Sequence, residues 1–446
     1  MARPKLLVVT RHCPLPENDG AGAYLFDLLS HLAAHGVNIR VVWVQAESRF
    51  VKQGSWRVPA RFRRVAHLEV IGSLAVGPYR LFWWGPFKAR VLGLIKSVLT
   101  ATRLWREPAD APAPAPGAAK AGAFSPERNA RAPGSWSDTP THLETHFYRQ
   151  RLRAFAPDAV LANYCWMAPL LEEADAKKLV LAHDVASHRL ALPTHSARQP
   201  AADLSPATRQ GETRLLSYAD TVLAISREDA DVFATMVPTR RVLVVPKAAT
   251  AGAPTGKPVR GRCLFVGGAN PPNREGLEWF LREVWPSVRA SREDATLHVC
   301  GAICSWIKTA IPEGVTLLGR VPELESEYGA AEVVVVPLLH GTGVKIKLVE
   351  ACSMAKACVT TPVGLQGLAF LRNAVLEATD AASFSVALLR ALDDPSLREE
   401  LQKRTANAVA KHLSPEACYQ GVLETVRGDS ATAEHPVGSN HPATVA

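Results

Sequence analysis

The chain has no long hydrophobic run. None approaches the roughly 18–20 consecutive apolar residues that span a bilayer, so no membrane-crossing helix is expected. It also lacks any C-x-x-C pair. The eight cysteines are scattered, and Cys263, Cys300 and Cys358 lie inside apolar runs. This disfavours structural zinc and a disulfide framework, and makes a reducing, cytoplasmic setting the simplest one. No glycine loop at the head of a domain fits G-x-G-x-x-G, which disfavours a nicotinamide-dependent oxidoreductase. Acidic residues are scarce in one stretch: between Arg49 and Arg106, twelve Lys and Arg stand against a single acid, Glu69. That local excess is larger than the +9 of the whole chain, so the remainder is slightly acidic. A local basic surface, not a basic protein, needs explaining.

At 446 residues, two or more domains are expected, and the 47% apolar share is that of an ordinary globular chain. The start, Met1–Thr10, has too short an apolar core for a secretory signal and reads as a first strand. A loop over Thr10–Gly22, a helix over Tyr24–His35 ended by Gly36 and a strand over Asn38–Val44 complete a βαβ unit. Residues 107–140, rich in Ala, Pro, Ser and Gly, read as a flexible insertion. Strands follow at Ala159–Ala162, Leu179–Ala182, Thr221–Ile225 and Val242–Val245, then a Gly, Pro, Thr and Ala spacer at Ala248–Lys257. A second series has strands at Cys263–Val266, Thr296–Cys300, Val315–Leu318, Val333–Val336 and Cys358–Thr361. Its helices fall near Glu275–Arg289, Glu323–Ala330, Lys345–Met354 and Ala381–Leu392. The expected organisation is therefore α/β, with two Rossmann-like doubly wound domains facing a cleft: residues 1–247 and 248–413. A final helix over 414–427 returns to the first domain, and 428–446 form a disordered tail.

The most informative stretch is Ala331–Gly367. The β-branched run Val333–Val336 closes with Pro337, glycines stand at 341 and 343, and a helical pattern begins near Val344. Strand, glycine loop and helix start make a phosphate cradle, because backbone N–H groups and the helix dipole favour an anion there. Lys345 and Lys347 add cationic donors. Glu350, three residues beyond Lys347, shares its side of the helix and suits the hydroxyls of a ribose. The alternative is a buried strand, a turn and an amphipathic helix with an ordinary Lys–Glu pair.

Four segments occur in order: Phe265–Phe280 (FVGGANPPNREGLEWF), Leu317–Pro322 (LLGRVP), Gly341–Ala351 (GTGVKIKLVEA) and Thr361–Leu368 (TPVGLQGL). Together they resemble the nucleotide-sugar-dependent glycosyltransferases of the GT-B fold, family-four type, over about Cys263–Leu413. The first domain is similar more loosely, through His183-Asp184 and Glu212–Ser226. The resemblance implies sugar transfer from a nucleoside-diphosphate donor to an acceptor hydroxyl, retaining and without a protein-bound metal or other cofactor. Residue by residue it implies that Gly267 and Gly268 approach the diphosphate, and that Asn273 and Arg274 occupy a loop that contacts phosphate. Arg320 and Val321 would meet the nucleobase, Lys345 would bind phosphate, Glu350 would hold the ribose, and His183 would line the sugar site. Gly20 and Gly22 stand where the family has adjacent glycines near the phosphates; here they are separated. Gly341, Thr342, Gly343 and Lys347 complete the expected donor set, with Lys345, His183 and Arg274 as the catalytic candidates. Many relatives carry a second glutamate seven residues before the ribose carboxylate, where this chain has Gly343.

The expected partners are a nucleotide-sugar donor and a glycan or lipid-linked acceptor, in bacterial polysaccharide or glycolipid synthesis. An anionic membrane surface is a further candidate, contacted through residues 80–106, where Leu81–Phe87 and a basic amphipathic run combine aromatic and cationic groups. The alternative is that the apolar side of that run packs on the domain. No nucleic-acid partner is expected. Two rival functions share some of these features: a nucleotide-sugar epimerase on the same scaffold, and a non-enzymatic basic protein binding polyanions or membrane.

Overall fold

Continuous apolar runs become parallel strands here because both of their faces are covered. In the computed structural model, which describes residues 3–15, 20–45, 48–82, 139–190, 205–252, 256–341 and 343–429, Val333–Val336 is buried at every position. The strands in chain order are β1 (Lys5–Thr10), β2 (Asn38–Trp43), β3 (Ser55–Arg57), β4 (His67–Val70), β5 (Leu74–Val76), β6 (Tyr79–Leu81), β7 (Ala159–Asn163) and β8 (Lys177–Ala182). They continue with β9 (Thr221–Ala224), β10 (Arg241–Val244), β11 (Arg262–Val266), β12 (Thr296–Cys300), β13 (Val315–Gly319), β14 (Val333–Val336), β15 (Ala357–Thr360) and β16 (Leu376–Glu377).

A seven-stranded sheet has the order β10-β9-β8-β7-β1-β2-β4, and a six-stranded sheet the order β13-β12-β11-β14-β15-β16. In the first, β1 pairs in parallel with β2 (Leu7 opposite Arg40) and with β7 (Val8 opposite Leu161). In the second, β11 pairs in parallel with β12 and β14. Each sheet is Rossmann-like: the chain starts at the centre, winds to one edge, returns to the centre and winds to the other. The order reverses between β1 and β7 in one sheet and between β11 and β14 in the other. Such switch points are where open α/β sheets bind ligands.

The chain forms two compact units. One comprises Met1–Leu181 and Pro193–Asp220, the other Ala182–Leu192 and Thr221–Ala446. The sheets change over between Val244 and Arg262, around the Ala248–Lys257 spacer. Packing divides the chain earlier, because the β9–β10 segment and the short piece after β8 associate with the C-terminal sequence. The last helix, Pro415–Arg427, lies on β10, with Arg241 donating to Thr425 Oγ1 at 3.2 Å.

Local structure departs from the sequence reading in three places. The first helix runs over Gly20–Ala34, so Gly20–Ala23 are its first turn and not loop. Gly22 allows this: a Cβ there would stand 2.5 Å from the carbonyl oxygen of Leu15 and 2.9 Å from that of Cys13. The single helix expected near Glu275–Arg289 is a helix over Pro271–Trp279, a π turn over Phe280–Val284 and a helix over Trp285–Ser291. Pro286 has no N–H to give and its ring crowds the preceding turn, which accounts for the widened helix. A small antiparallel sheet, β3-β6-β5, was not legible in the sequence. It is pinned by the buried Arg80, whose Nε donates to Leu68 O at 2.8 Å. The basic amphipathic run beyond Phe82, the insertion up to residue 138 and the tail from 430 lie outside the described residues.

The second unit is built on an aromatic core. Phe265, Phe280, Trp285 and Phe384 are fully buried together, with Phe280 and Phe384 in edge contact at 5.6 Å. Truncating an aromatic side chain of this kind costs about 3–5 kcal/mol.

Candidate functional site

The glycine loops of the second unit leave the carboxyl ends of β11 and β14, the two strands that flank its switch point. After β11 come Gly267 and Gly268, then the helix Pro271–Trp279. Its cap is Asn270, whose side chain accepts from Asn273 N at 3.0 Å. A Cβ on Gly267 would meet the Phe265 ring at 2.7 Å, whereas Gly268 faces open space. After β14 come Gly341 and Gly343, at φ 128° and 69°, backbone angles that favour glycine. Thr342 lies outside the described residues. The helix Ile346–Ser353 begins directly after Lys345.

Asn273 and Lys347 tie these loops together, and Lys345 braces its own. Asn273 is buried; its amide donates to Gly268 O at 2.8 Å, and its oxygen accepts from Lys347 Nζ. Lys347 also lies 5.0 Å from the centroid of the Phe265 ring. Lys345, only 8% exposed, folds back under its own loop, donating to Gly343 O at 2.5 Å, Gly341 O at 3.4 Å and Gln366 Oε1 at 3.2 Å. Burial lowers the Lys345 ammonium to about 8, with Asp229 opposing the shift. Burial, and then the charge of Lys345, lower Lys347 to about 7, with Glu350 opposing. Glu350 keeps a solvent-exposed edge, yet desolvation raises its carboxyl while Lys247 and Lys347 pull it back. A ligand carrying negative charge would restore both lysines to full protonation, and that is the chemistry this arrangement offers.

The other expected residues are less concentrated. Arg274 is partly exposed and directed at Glu275 (3.8 Å), which also pairs with His340 (2.6 Å), so it does not join the lysine cluster. Arg320 is exposed and Val321 half-buried, immediately past β13. His183 directly follows β8; its neighbour Asp184 acts electrostatically on Asp229. Gly20 and Gly22 belong to the first unit, where Gly22 has the packing role described above and a Cβ on Gly20 would meet nothing.

Gln366 and Asp229 are site residues that the sequence reading did not single out. Gln366 had a signal, since it sits between glycines in the quoted Thr361–Leu368 segment. Asp229 had only its place in the first turn of the helix Arg227–Met236, where its backbone N–H is capped by Ser226. Asp229-Ala230-Asp231 is an Asp-x-Asp string, the spacing often associated with a divalent ion. On a helix those two side chains point about 200° apart, and among the described residues no group of three or more His, Cys, Asp or Glu could hold a metal ion.

The fold so defined is that of the GT-B glycosyltransferases, a pair of Rossmann-like α/β units. More particularly, residues 260–394, which contain both glycine loops and both lysines, match the family described as Glycosyl transferases group 1. Sucrose-phosphate synthase from Thermosynechococcus elongatus has the same fold over 96% of this chain and 99% of its own, at 14% identity and a TM-score of 0.61. Anabaena Alr3699/HepE, solved in complex with UDP, matches over 95% of this chain and 100% of its own, at 11% identity and a TM-score of 0.59. An uncharacterised 44.6 kDa protein from the cps region of Klebsiella pneumoniae is 30% identical over 115 residues. That match covers 23% of this chain and 30% of the Klebsiella protein. Among the described residues no helix is long and apolar enough to cross a membrane.

Proposed function

We propose that this chain transfers a sugar from a nucleoside-diphosphate donor to a hydroxyl of a glycan or lipid-linked acceptor, with retention at the anomeric carbon and without a metal. The observation that carries the reading is the buried Lys345 and half-buried Lys347, lowered by desolvation to about 8 and about 7, beside two glycine loops at a switch point. As the anomeric bond lengthens, charge grows on the leaving diphosphate. The ammonium groups of Lys345 and Lys347 and the loop N–H groups would stabilise it, the role a divalent ion takes elsewhere. Glu350 would hold the donor ribose, Gly268 would let the diphosphate come close, and Arg320 and Val321 would meet the base. His183 would line the sugar site. Asn273 acts by fixing Gly268 and Lys347, and Arg274 serves at the rim. The relative solved with UDP makes uridine the base to try first, and the Klebsiella relative favours envelope or capsular polysaccharide.

Thermal stabilisation by a panel of UDP, ADP, GDP and TDP tests the donor site. One diphosphate should raise the melting temperature of the wild type and do so far less in Lys345→Ala; no shift from any of them would remove the proposal.

A membrane surface is supported by a separate observation. The β5–β6 register places Leu74 opposite Leu81 and Val76 opposite Tyr79, so four apolar side chains, all exposed, share one face of the small sheet. Arg57, paired with Tyr79, is exposed, and so are Arg61, Arg63 and Arg64 just beyond it. An apolar face beside arginines suits the interface of an anionic bilayer. Flotation with vesicles containing phosphatidylglycerol should carry the protein upward in a salt-sensitive way, and Leu74→Asp/Leu81→Asp should abolish this; flotation unchanged by the double substitution would exclude the face.

A further inference from the structure

We infer that Cys304 and Gly301, on the segment that leaves β12, are positioning residues for the donor: they lock the loop after β11 to the exit of β13, and the thiol sets the edge that meets the nucleobase. That this edge receives a base rests on the glycosyl-transfer reading above; the lock itself does not.

β12 lies between β11 and β13 in the sheet, so its exit can reach both neighbours. On one side Val266 pairs with Cys300, and the contact continues beyond the strands: Gly267 N donates to Cys300 O at 2.9 Å, and Ile303 N donates to Gly267 O at 3.2 Å. On the other side the register slips. Val299 stands opposite Leu317 and Cys300 opposite Gly319, so β13 carries one extra residue there. Bulges of this kind re-aim the chain at a sheet edge and recur beside active sites.

Gly301 sits at the junction with φ 105° and ψ −178°, a backbone region that is essentially glycine-only. Its N–H donates to Gly319 O at 2.6 Å, and a Cβ on it would collide with the carbonyl oxygen of Gly267. Three residues on, Cys304 Sγ accepts from Gly319 N at 3.3 Å and donates to Val299 O at 3.2 Å. Gly319 is thus held at its N–H by the thiol and at its carbonyl by Gly301, immediately before Arg320 and Val321. The turn Ala302–Ser305 that carries the thiol is anchored by Ile303, which is fully buried in the aromatic core. Burial pushes the half-buried Cys304 thiol up, against the bond from Gly319, so it stays protonated at neutral pH and keeps the S–H it gives to Val299 O. A methyl group at 304 would take that partner from both Gly319 N–H and Val299 O. The two residues divide the work: Cys304 bonds to the exit of β13, whereas Gly301 meets both loops.

Hydrogen–deuterium exchange on the full chain without nucleotide, and calorimetry with UDP, ADP, GDP, TDP and inorganic pyrophosphate, test this. Cys304→Ala should speed exchange at residues 319–321 but not at 267–268. It should weaken the nucleoside diphosphate that the wild type binds by about tenfold and leave pyrophosphate affinity unchanged. Cys304→Ser, whose hydroxyl can make both bonds, should recover most of the loss. Gly301→Ala should speed exchange at both loops and weaken pyrophosphate as well. Unchanged exchange at 319–321 in Cys304→Ala, an equal loss of nucleotide and pyrophosphate affinity, or a serine variant no better than alanine would each overturn the inference. The expected exchange pattern in a protein that binds none of the four nucleotides would leave the lock standing and remove the donor-site reading. Nucleotide binding indifferent to Cys304 would do the reverse.

Discussion

At the carboxyl edge of β1 and β7, the buried guanidinium of Arg11 meets a carboxylate within 2.8 Å. At the corresponding edge of β11 and β14, the ammonium groups of Lys345 and Lys347 donate to carbonyl and amide oxygens among the described residues, and Asp229 and Glu350 act on them electrostatically. The two sheets are wound in the same way, so the contrast comes from the side chains their loops supply. At one edge the buried cation is met directly by a carboxylate. The other holds cations below full protonation, at a cost that an arriving anion would relieve. A fold that repeats itself thus carries a carboxylate-paired cation at one edge and two desolvated lysines at the other.

The contrast can be broken from either side. Glu144→Ala should have the largest effect on stability, about 3–5 kcal/mol, because it strands a buried guanidinium; chemical denaturation reads this, and affinity for UDP should be unchanged in the folded variant. Lys345→Ala should act in the opposite sense, lowering turnover by about two to three orders of magnitude while leaving the melting temperature at or above that of wild type, since a desolvated lysine is removed. A stability loss without a catalytic loss would make Lys345 structural. Gly22→Ala should cost roughly 1–3 kcal/mol by crowding backbone oxygens, with Gly20→Ala harmless in the same thermal scan. Equal effects of the two would show that packing is not what distinguishes these glycines. Glu350→Gln should weaken UDP binding by about tenfold, roughly 1.4 kcal/mol, through the ribose; equal affinity by calorimetry would defeat that assignment.

Much of the second unit was legible in the sequence. Val333–Val336 could only be a doubly covered strand, and Gly341, Gly343, Lys345 and Lys347 announced the loop after it. The first unit was harder to read. Nothing in the local pattern marks Tyr164, at φ 76°, as strained, because its conformation is imposed by pairing to β8 and by the stack on Trp166. Gly20 and Gly22 read as loop because the reason for Gly22, two carbonyl oxygens of the preceding segment, is a tertiary contact. The helix Pro395–His412 went unread although Asp394 caps it and Pro395 opens it. The Arg11–Glu144 pair spans 133 residues and leaves no sequence signal.

The central claim concerns the two lysines, and pH separates it from a purely structural reading. The folded chain without ligand binds fewer protons than the unfolded chain between about pH 7 and the ordinary lysine value near 10.5. Across that window the lysines' contribution to stability therefore rises with pH. Affinity for a diphosphate should move the other way, because binding returns protons to both side chains. Calorimetric titration with UDP near pH 8, repeated in buffers of different ionisation enthalpy, measures this directly. The account predicts net proton uptake by the protein on binding, absent in Lys345→Met/Lys347→Met, and an affinity that falls as pH rises. Binding with no proton uptake, or with an affinity that climbs with pH, would contradict it.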